Sequence, residues 1–255
     1  MSRTSGSIPP GVAMMSGRSD LGEWRDDESL VRAQQHWGTA SPPYWTPPVR
    51  PLVAAGCFVA FFRGEAGPGK AGDRAFAAAA VVVEDGPVLN TAVVVGSAGA
   101  TYVPGLLGRR EGALLLAALR ALPNDPDVLL IDATGRDHPR RAGLALHLGA
   151  LLDRPSVGVT DRPLLAVGDA VTDPRAGSIS PLVLGDELVA ASVRTRSGVR
   201  PLVAHAAWRT DVSSAVEVVR RTATRARTPE PLRVARSVAR EARARSEREH
   251  LVTET

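Results

Sequence analysis

Long apolar stretches separated by turn-forming residues fill the middle of the chain, beginning near residue 52. Residues 52–62, 75–83 and 88–95 are almost continuously apolar, and segments rich in turn-forming residues separate them, which predicts three successive strands. Residues 113–122 are also strongly apolar and predict a helix, with Glu111 near its start. The first half of the chain therefore predicts a sheet that is followed by a helix.

A short strand, an acidic turn and a helix form the next predicted unit. Residues 128–131 are apolar at every position, as in a strand buried on both faces, and Asp132 follows directly. Pro139 suits a first helical turn, and residues 143–152 continue with helical apolar spacing. Ligands of open α/β sheets bind at the carboxyl ends of strands, so Asp132 is either a ligand-binding carboxylate or only a turn cap. Glu111 likewise is either half of a metal site or a partner of the helix dipole.

The remaining chain predicts further strands and helices with loose ends. The predicted strands lie at residues 182–184, 188–195 and 199–204, and the predicted helices at residues 212–225 and 232–248. Mixed charges at helical spacing in the last helix favour a solvated face over a dedicated nucleic-acid helix. We predict four regions: a disordered segment at 1–25, a short helix with a proline-rich connector at 26–51, one domain at 52–248 and a tail at 249–255.

Composition narrows the partners and the compartment. The 255 residues carry a net charge of +4 with a sequence pI of about 10.1, which favours an acidic partner such as DNA or RNA. Cys57 is the only cysteine, which excludes an internal disulfide and is typical of a reducing compartment. No apolar run approaches the roughly 20 residues that span a bilayer, and residues 1–19 lack the apolar core of a signal peptide. We therefore expect a cytoplasmic monomer without membrane contact.

Five motifs give the chain its resemblance to a known family. They are T-Y-V-P-G-L-L-G-R-R-E-G at 101–112, D-V-L-L-I-D at 127–132, H-P-R-R-A-G-L-A-L-H-L-G at 138–149, R-T-R at 194–196 and P-E-P-L-R-V-A at 229–235. In this order they resemble the landmarks of endonuclease V, over residues 51–243. The resemblance implies a ribonuclease H-like α/β fold, a mixed sheet flanked by helices on both sides. It also implies metal-dependent cleavage of a nucleic-acid strand near deoxyinosine or another deaminated base.

The resemblance also implies roles for the residues that match these motifs. Asp132 and Glu111 would hold Mg²⁺ or Mn²⁺, and His138 would activate water or orient the metal ligands. The implied nucleic-acid contacts are of three kinds. A wedge beside the lesion is formed by Tyr102, Val103 and Pro104, and a loop near a flipped-out base contains Gly135. Arg140 would contact a phosphate. Each has a simpler alternative, namely an ordinary strand-to-helix turn, an exposed loop histidine or a solvated arginine.

Three positions depart from the family's pattern. Phe58 stands in A-G-C-F-V-A where the family has its central metal-binding aspartate, and a phenyl ring offers no oxygen ligand. Asp161 stands where the family usually has a lysine, which reverses the charge of a group expected to meet phosphate. Trp208 aligns with the family's histidine before an arginine. His205 lies three residues earlier, an offset of roughly 10 Å along a strand, which is too far for it to take that place.

These departures leave three hypotheses open. The first is an active endonuclease V-like phosphodiesterase in which Asp132 and Glu111 hold one divalent ion. The second is a pseudoenzyme that binds damaged or structured nucleic acid and cuts it poorly or not at all, with weak or absent metal. The third is a protein-interaction scaffold. Retention of Glu111, Asp132 and the wedge opposes the third hypothesis, and the three replacements oppose the first, so the sequence favours the second.

Overall fold

Strands in the described part of the chain form one mixed sheet. The computed structural model describes residues 12–14, 22–62 and 69–253, and side-chain surroundings for 22–62 and 69–249. The strands are β1 (Val12–Met14), β2 (Val53–Phe61), β3 (Arg74–Val83), β4 (Val88–Ser97), β5 (Val128–Ile131), β6 (Ser156–Thr160), β7 (Ile179–Leu184), β8 (Glu187–Val193) and β9 (Leu202–Ala206). Their order across the sheet is β1-β4-β3-β2-β5-β6-β9-β8-β7. The central strands β2, β5 and β6 are parallel, and β3 and β9 flank them antiparallel.

Helices cover both faces of this sheet. They are α1 (Asp27–Thr39), α2 (Leu107–Arg120), α3 (Leu144–Leu152), α4 (Val212–Thr222) and α5 (Glu230–Thr253). Side chains alternate along a strand, so β2 divides the core into two layers: Ala55 packs with α1, α2 and α3, and Ala54 packs with α4 and α5. The predicted mixed α/β sheet with helices on both sides is confirmed. None of the helices in the described residues has the length and apolar content to span a bilayer.

Most predicted elements are present with shifted ends. The three early strands and α2 follow the predicted apolar runs, whereas β6 is an additional strand that the sequence had left unassigned. α4 ends three residues before the predicted position 225. α5 starts at Glu230 and continues to Thr253, so helix extends through most of the segment predicted as a tail. Ion pairs at helical spacing, such as Arg243 with Glu247, are consistent with this extension.

The predicted disorder of residues 1–25 is wrong for the part that the structure describes. Residues 1–11 and 15–21 lie outside the described residues, but Val12–Met14 pairs in parallel with β4. Trp24 is only 2% exposed, because Gly108 and Gly112 on α2 leave room for its indole ring. An added Cβ at Gly112 would lie 2.6 Å from that ring. One large apolar side chain therefore anchors the segment despite its polar, glycine-rich neighbours.

Candidate active site

The parallel pairing of β2 with β5 places Phe58 and Asp132 at one level of the sheet edge. Cys57 pairs with Ile131 in this ladder, so the next residue of each strand follows side by side. Phe58 packs in an apolar cluster with Ala239 of α5, and Asp132 contacts α5 directly. The two side chains therefore lie side by side on the α5 face, with Phe58 at the position where the resemblance implied an aspartate.

An arginine from α5 lies between these two side chains. Arg236 donates from Nη2 to Oδ2 of Asp132 at 2.9 Å, and its guanidinium carbon lies 5.0 Å from the centre of the Phe58 ring. Arg240, one turn later, lies 5.8 Å from the same ring centre. Sequence reasoning missed Arg236, although it directly follows the P-E-P-L-R-V-A motif, because 104 residues separate it from Asp132. The structure thus adds a cation to the predicted carboxylate site.

The Asp132 carboxyl titrates under opposing influences. Removal of water by the surrounding protein raises its pKa, although the side chain keeps 37% of its surface exposed. The charge and hydrogen bond of Arg236 act in the opposite direction, and the negative charge of Asp161 adds to the increase. Because the net shift is upward, desolvation of the carboxyl outweighs the effect of the arginine.

Glu111 lies close enough to Asp132 for the two carboxyls to influence each other. Burial raises the pKa of Glu111 to about 7, Arg110 opposes that shift, and the charge of Asp132 adds to it. Burial also raises the pKa of the Cys57 thiol, and the charges of Asp132 and Glu111 raise it further. The structure therefore brings together Glu111, Asp132 and the end of β2, and the role of the two carboxylates as metal ligands stays a prediction.

The residues at this edge do not fit a divalent metal ion well. Magnesium needs near-octahedral coordination by hard oxygen ligands, and Asp132 and Glu111 are the carboxylates at the site, while Phe58 contributes only a ring. Within the described residues, no group of three or more His, Cys, Asp or Glu side chains is arranged to hold a metal. The guanidinium of Arg236 already pairs with Asp132 and would repel an arriving cation. The donor set therefore disagrees with the metal that the family motifs imply.

Asp161 lies near enough to Asp132 to influence its charge, and it forms an ion pair of its own. Its carboxylate lies 2.7 Å from Nη2 of Arg227, and this hydrogen bond is the main reason that its pKa is lowered. Arg200 donates to its backbone carbonyl at 3.1 Å. Asp161, at the position where the resemblance implied a lysine, is therefore accompanied by two arginines, which keep positive charge at this place.

Trp208 lies in the apolar core, away from the carboxylates at the sheet edge. Its indole Nε1 donates to Asp153 at 3.2 Å, and its ring meets Trp37 edge to face at 5.5 Å. His205 is fully buried on β9 and pairs through Nε2 with the Thr160 hydroxyl at 2.8 Å. Neither side chain contacts Asp132, so the structure gives Trp208 a packing role and offers His205 no route to the site.

The predicted wedge is an exposed loop, and hydrogen bonds to the following residue, Gly105, fix its position. Tyr102 and Val103 are 44% and 45% exposed, and Pro104 is exposed as well. Gly105 adopts φ +77°, a conformation that favours glycine, and its carbonyl accepts three hydrogen bonds. The donors are Gln34 Nε2 at 3.1 Å, His138 Nε2 at 3.1 Å and Arg140 Nη2 at 3.0 Å. Helix α1 and the loop after β5 therefore fix the base of the wedge together.

His138 and Arg140 are used inside this network. The His138 ring is 3% exposed and accepts the Arg140 backbone N–H at Nδ1, which assigns the proton to Nε2. Burial lowers the pKa of His138 to about 4, so the ring is neutral near pH 7 with both nitrogens occupied. The Arg140 guanidinium also donates to Gln34 Oε1 at 2.7 Å. In this structure both side chains therefore position the wedge, and the predicted water activation by His138 and phosphate contact of Arg140 stay predictions.

Gly135 is required by packing against β9. An added Cβ would collide with the carbonyl oxygen of Ala206, which also accepts the Arg136 backbone N–H at 2.8 Å. The predicted approach of Gly135 to a flipped-out base stays a prediction, since this packing alone explains a glycine here.

The fold and the paired carboxylates at the sheet edge define the class of protein. A mixed sheet with helices on both faces and acidic residues at the carboxyl ends of central strands is the architecture of ribonuclease H-like nucleases. The endonuclease V family model matches residues 53–237. Endonuclease V of Roseiflexus castenholzii is 37% identical over 225 residues, which cover 88% of this chain and 94% of that protein. This chain belongs to the endonuclease V family.

Solved structures of the same family support this assignment. Endonuclease V of Streptomyces avermitilis superposes with a TM-score of 0.75 at 33% identity, covering 87% of this chain and 95% of that one. The catalytic domain of human endonuclease V gives a TM-score of 0.75 at 28% identity, covering 87% of this chain and 98% of that one. A Ciona intestinalis endonuclease V, in complex with DNA containing an inosine, shares the fold at a TM-score of 0.68 and 19% identity, covering 85% and 98%.

Proposed function

We propose that this protein binds nucleic acid that carries a deaminated base such as inosine, and that it cleaves the strand slowly or not at all. The partner follows from the family, because the Ciona relative was crystallised on inosine-containing DNA. DNA and RNA both satisfy the chemistry of the site. The cytoplasmic location and the monomeric state stay predictions.

The wedge carries the binding part of the proposal. Tyr102 offers an exposed aromatic face and Pro104 a rigid edge, which suit stacking on bases and separating a base step. Gly105 is held by three donors from two parts of the fold, so the loop is ordered before a strand arrives. Preorganisation of this kind lowers the entropy cost of binding.

The proposal of impaired cleavage rests on one observation, the pairing of Arg236 with Asp132 beside the Phe58 ring. A hydrolytic site that depends on a divalent ion needs oxygen ligands, and here one carboxylate is replaced by a phenyl ring while another is neutralised by an arginine. Glu111, with a pKa of about 7, is partly protonated at neutral pH and is a poor ligand in that form. We derive no metal-dependent step from this donor set.

The test is binding and cleavage of labelled single- and double-stranded oligonucleotides that contain one inosine, with Mg²⁺ or Mn²⁺. We expect the wild type to bind them more tightly than matched oligonucleotides without inosine and to leave the strand intact. Phe58→Asp combined with Arg236→Ala restores a third carboxylate and removes the competing cation, so this variant should gain cleavage. Phe58→Leu with Arg236→Ala is the matched control without the carboxylate.

Two results would contradict the proposal. Efficient cutting by the wild type that Asp132→Ala abolishes would mean that a reduced metal site suffices. Absence of both binding and cutting by a folded wild type would favour a protein-interaction scaffold.

A further inference from the structure

Two guanidinium groups lie close to the Phe58 ring. Arg236 and Arg240 are four residues apart on α5, which places them on the same side of the helix, and their guanidinium carbons lie 5.0 and 5.8 Å from the ring centre. Cations within about 6 Å of a ring face are attracted by its quadrupole. The ring that replaces the family's aspartate therefore holds two positive charges.

These two arginines still have unused hydrogen-bond donors. Arg236 uses Nη2 on Asp132, but its buried Nε has no hydrogen-bond partner among the described residues. Arg240 is exposed and makes no hydrogen bond or ion pair with any of the described residues. Like charges beside one ring repel each other, so an anion that accepts hydrogen bonds from the two groups would relieve this repulsion.

We propose that Arg236 and Arg240, held over Phe58, form a metal-independent binding site for a backbone phosphate of the bound strand. Planar guanidinium groups present paired donors that match phosphate oxygens. Asp132 is already paired with Arg236, and Arg240 makes no ion pair with a described residue, so the cluster of Arg236, Arg240 and Asp132 keeps a net positive charge. The resemblance implies a divalent ion at this place, whereas here arginine side chains would bind the strand directly. This inference rests on the proposed binding of nucleic acid and names the chemistry of its strand contact.

Salt dependence of binding tests the site directly. Binding of a single-stranded inosine oligonucleotide is measured by fluorescence anisotropy in EDTA, over salt concentrations from about 0.1 M to about 1 M. Each phosphate contact contributes a slope of about 0.7 in log affinity against log salt for single strands. We expect Arg240→Ala to reduce the magnitude of the slope by about 0.7, so its affinity deficit relative to the wild type shrinks about fivefold as salt rises over that range.

Another arginine on α5, outside the proposed site, supplies the matched control. Arg245 is exposed on α5, and its position five residues after Arg240 turns it to a different side of the helix. Arg245→Ala should change the slope much less than Arg240→Ala, and wild-type affinity in EDTA should equal that in Mg²⁺.

An unchanged slope in Arg240→Ala, or a loss of wild-type affinity in EDTA, would overturn the phosphate site while leaving nucleic-acid binding in place. Failure of the wild type to bind the oligonucleotide in either buffer would instead remove the proposed function as well.

Discussion

His138 shows how a single buried side chain links the stability of this protein to pH. Its ring lies between the Arg140 backbone N–H and the Gly105 carbonyl, and burial lowers its pKa from the ordinary 6.5 to about 4. The unfolded chain binds a proton at this residue as pH falls through about 6.5, whereas the folded protein resists protonation until about 4. Folding is therefore favoured at neutral pH, and this advantage is lost progressively as pH falls between these two values.

We predict that His138→Gln removes part of the acid sensitivity of unfolding. A pKa difference of this size corresponds to roughly 3 kcal/mol at full expression, so the wild type should lose roughly 2–3 kcal/mol more than the variant between about pH 7 and pH 4. Urea denaturation at several pH values measures it, and the exposed His36 supplies the control His36→Gln. Equal acid sensitivity in His138→Gln and wild type would show that the ring is not held neutral. His205, with a pKa also lowered to about 4 by burial, contributes a separate loss in both proteins.

At the scale of elements, α1 acts on the wedge through Gln34. This residue is 3% exposed, donates to Gly105 and accepts from Arg140. The helix itself begins at a capped end, where the Asp26 carboxylate accepts the Ser29 backbone N–H at 2.7 Å. An element outside the predicted domain of residues 52–248 therefore supports a loop that belongs to it.

We predict that Gln34→Leu loosens the wedge without affecting the carboxylate site. The substitution removes one donor from the Gly105 carbonyl and the acceptor of Arg140 Nε, which costs about 1–3 kcal/mol locally. Hydrogen exchange at residues 102–106 should accelerate, and the preference for inosine should fall, whereas exchange in β5 should stay unchanged. Gln35→Leu, at an exposed neighbouring position, is the control. Unaltered exchange in the wedge of Gln34→Leu would disprove the coupling.

The elements also show what could be predicted from the sequence and what could not. β3 and α2 follow long apolar runs, a signal contained within each segment, so their positions were predictable. Trp24 was missed because its neighbours are polar or glycine, and the space that receives it is created by glycines on a helix 84 and 88 residues away. The role of His138 was missed for a similar reason, since its partner Gly105 lies 33 residues earlier. Contacts between distant segments leave no local pattern.

On the scale of the whole molecule, we propose that the endonuclease V fold is combined with a rearrangement of the charges at one sheet edge. The fold as a whole is similar to that of solved endonuclease V structures. At the edge, Phe58 contributes a ring without oxygen ligands, and Arg236 places a positive charge beside Asp132. In the proposed function these two features act together, because the guanidinium balances the charge of Asp132 that a metal ion would otherwise balance.

Manganese binding by the purified wild type, measured by electron paramagnetic resonance of free Mn²⁺, tests this rearrangement most directly. We predict no stoichiometric uptake tighter than about 1 mM by the wild type, and measurable uptake by Phe58→Asp combined with Arg236→Ala, which offers three carboxylates to the ion. Circular dichroism establishes that both proteins are folded. One Mn²⁺ bound tightly by the wild type and lost in Asp132→Ala would contradict the displacement of the metal by Arg236.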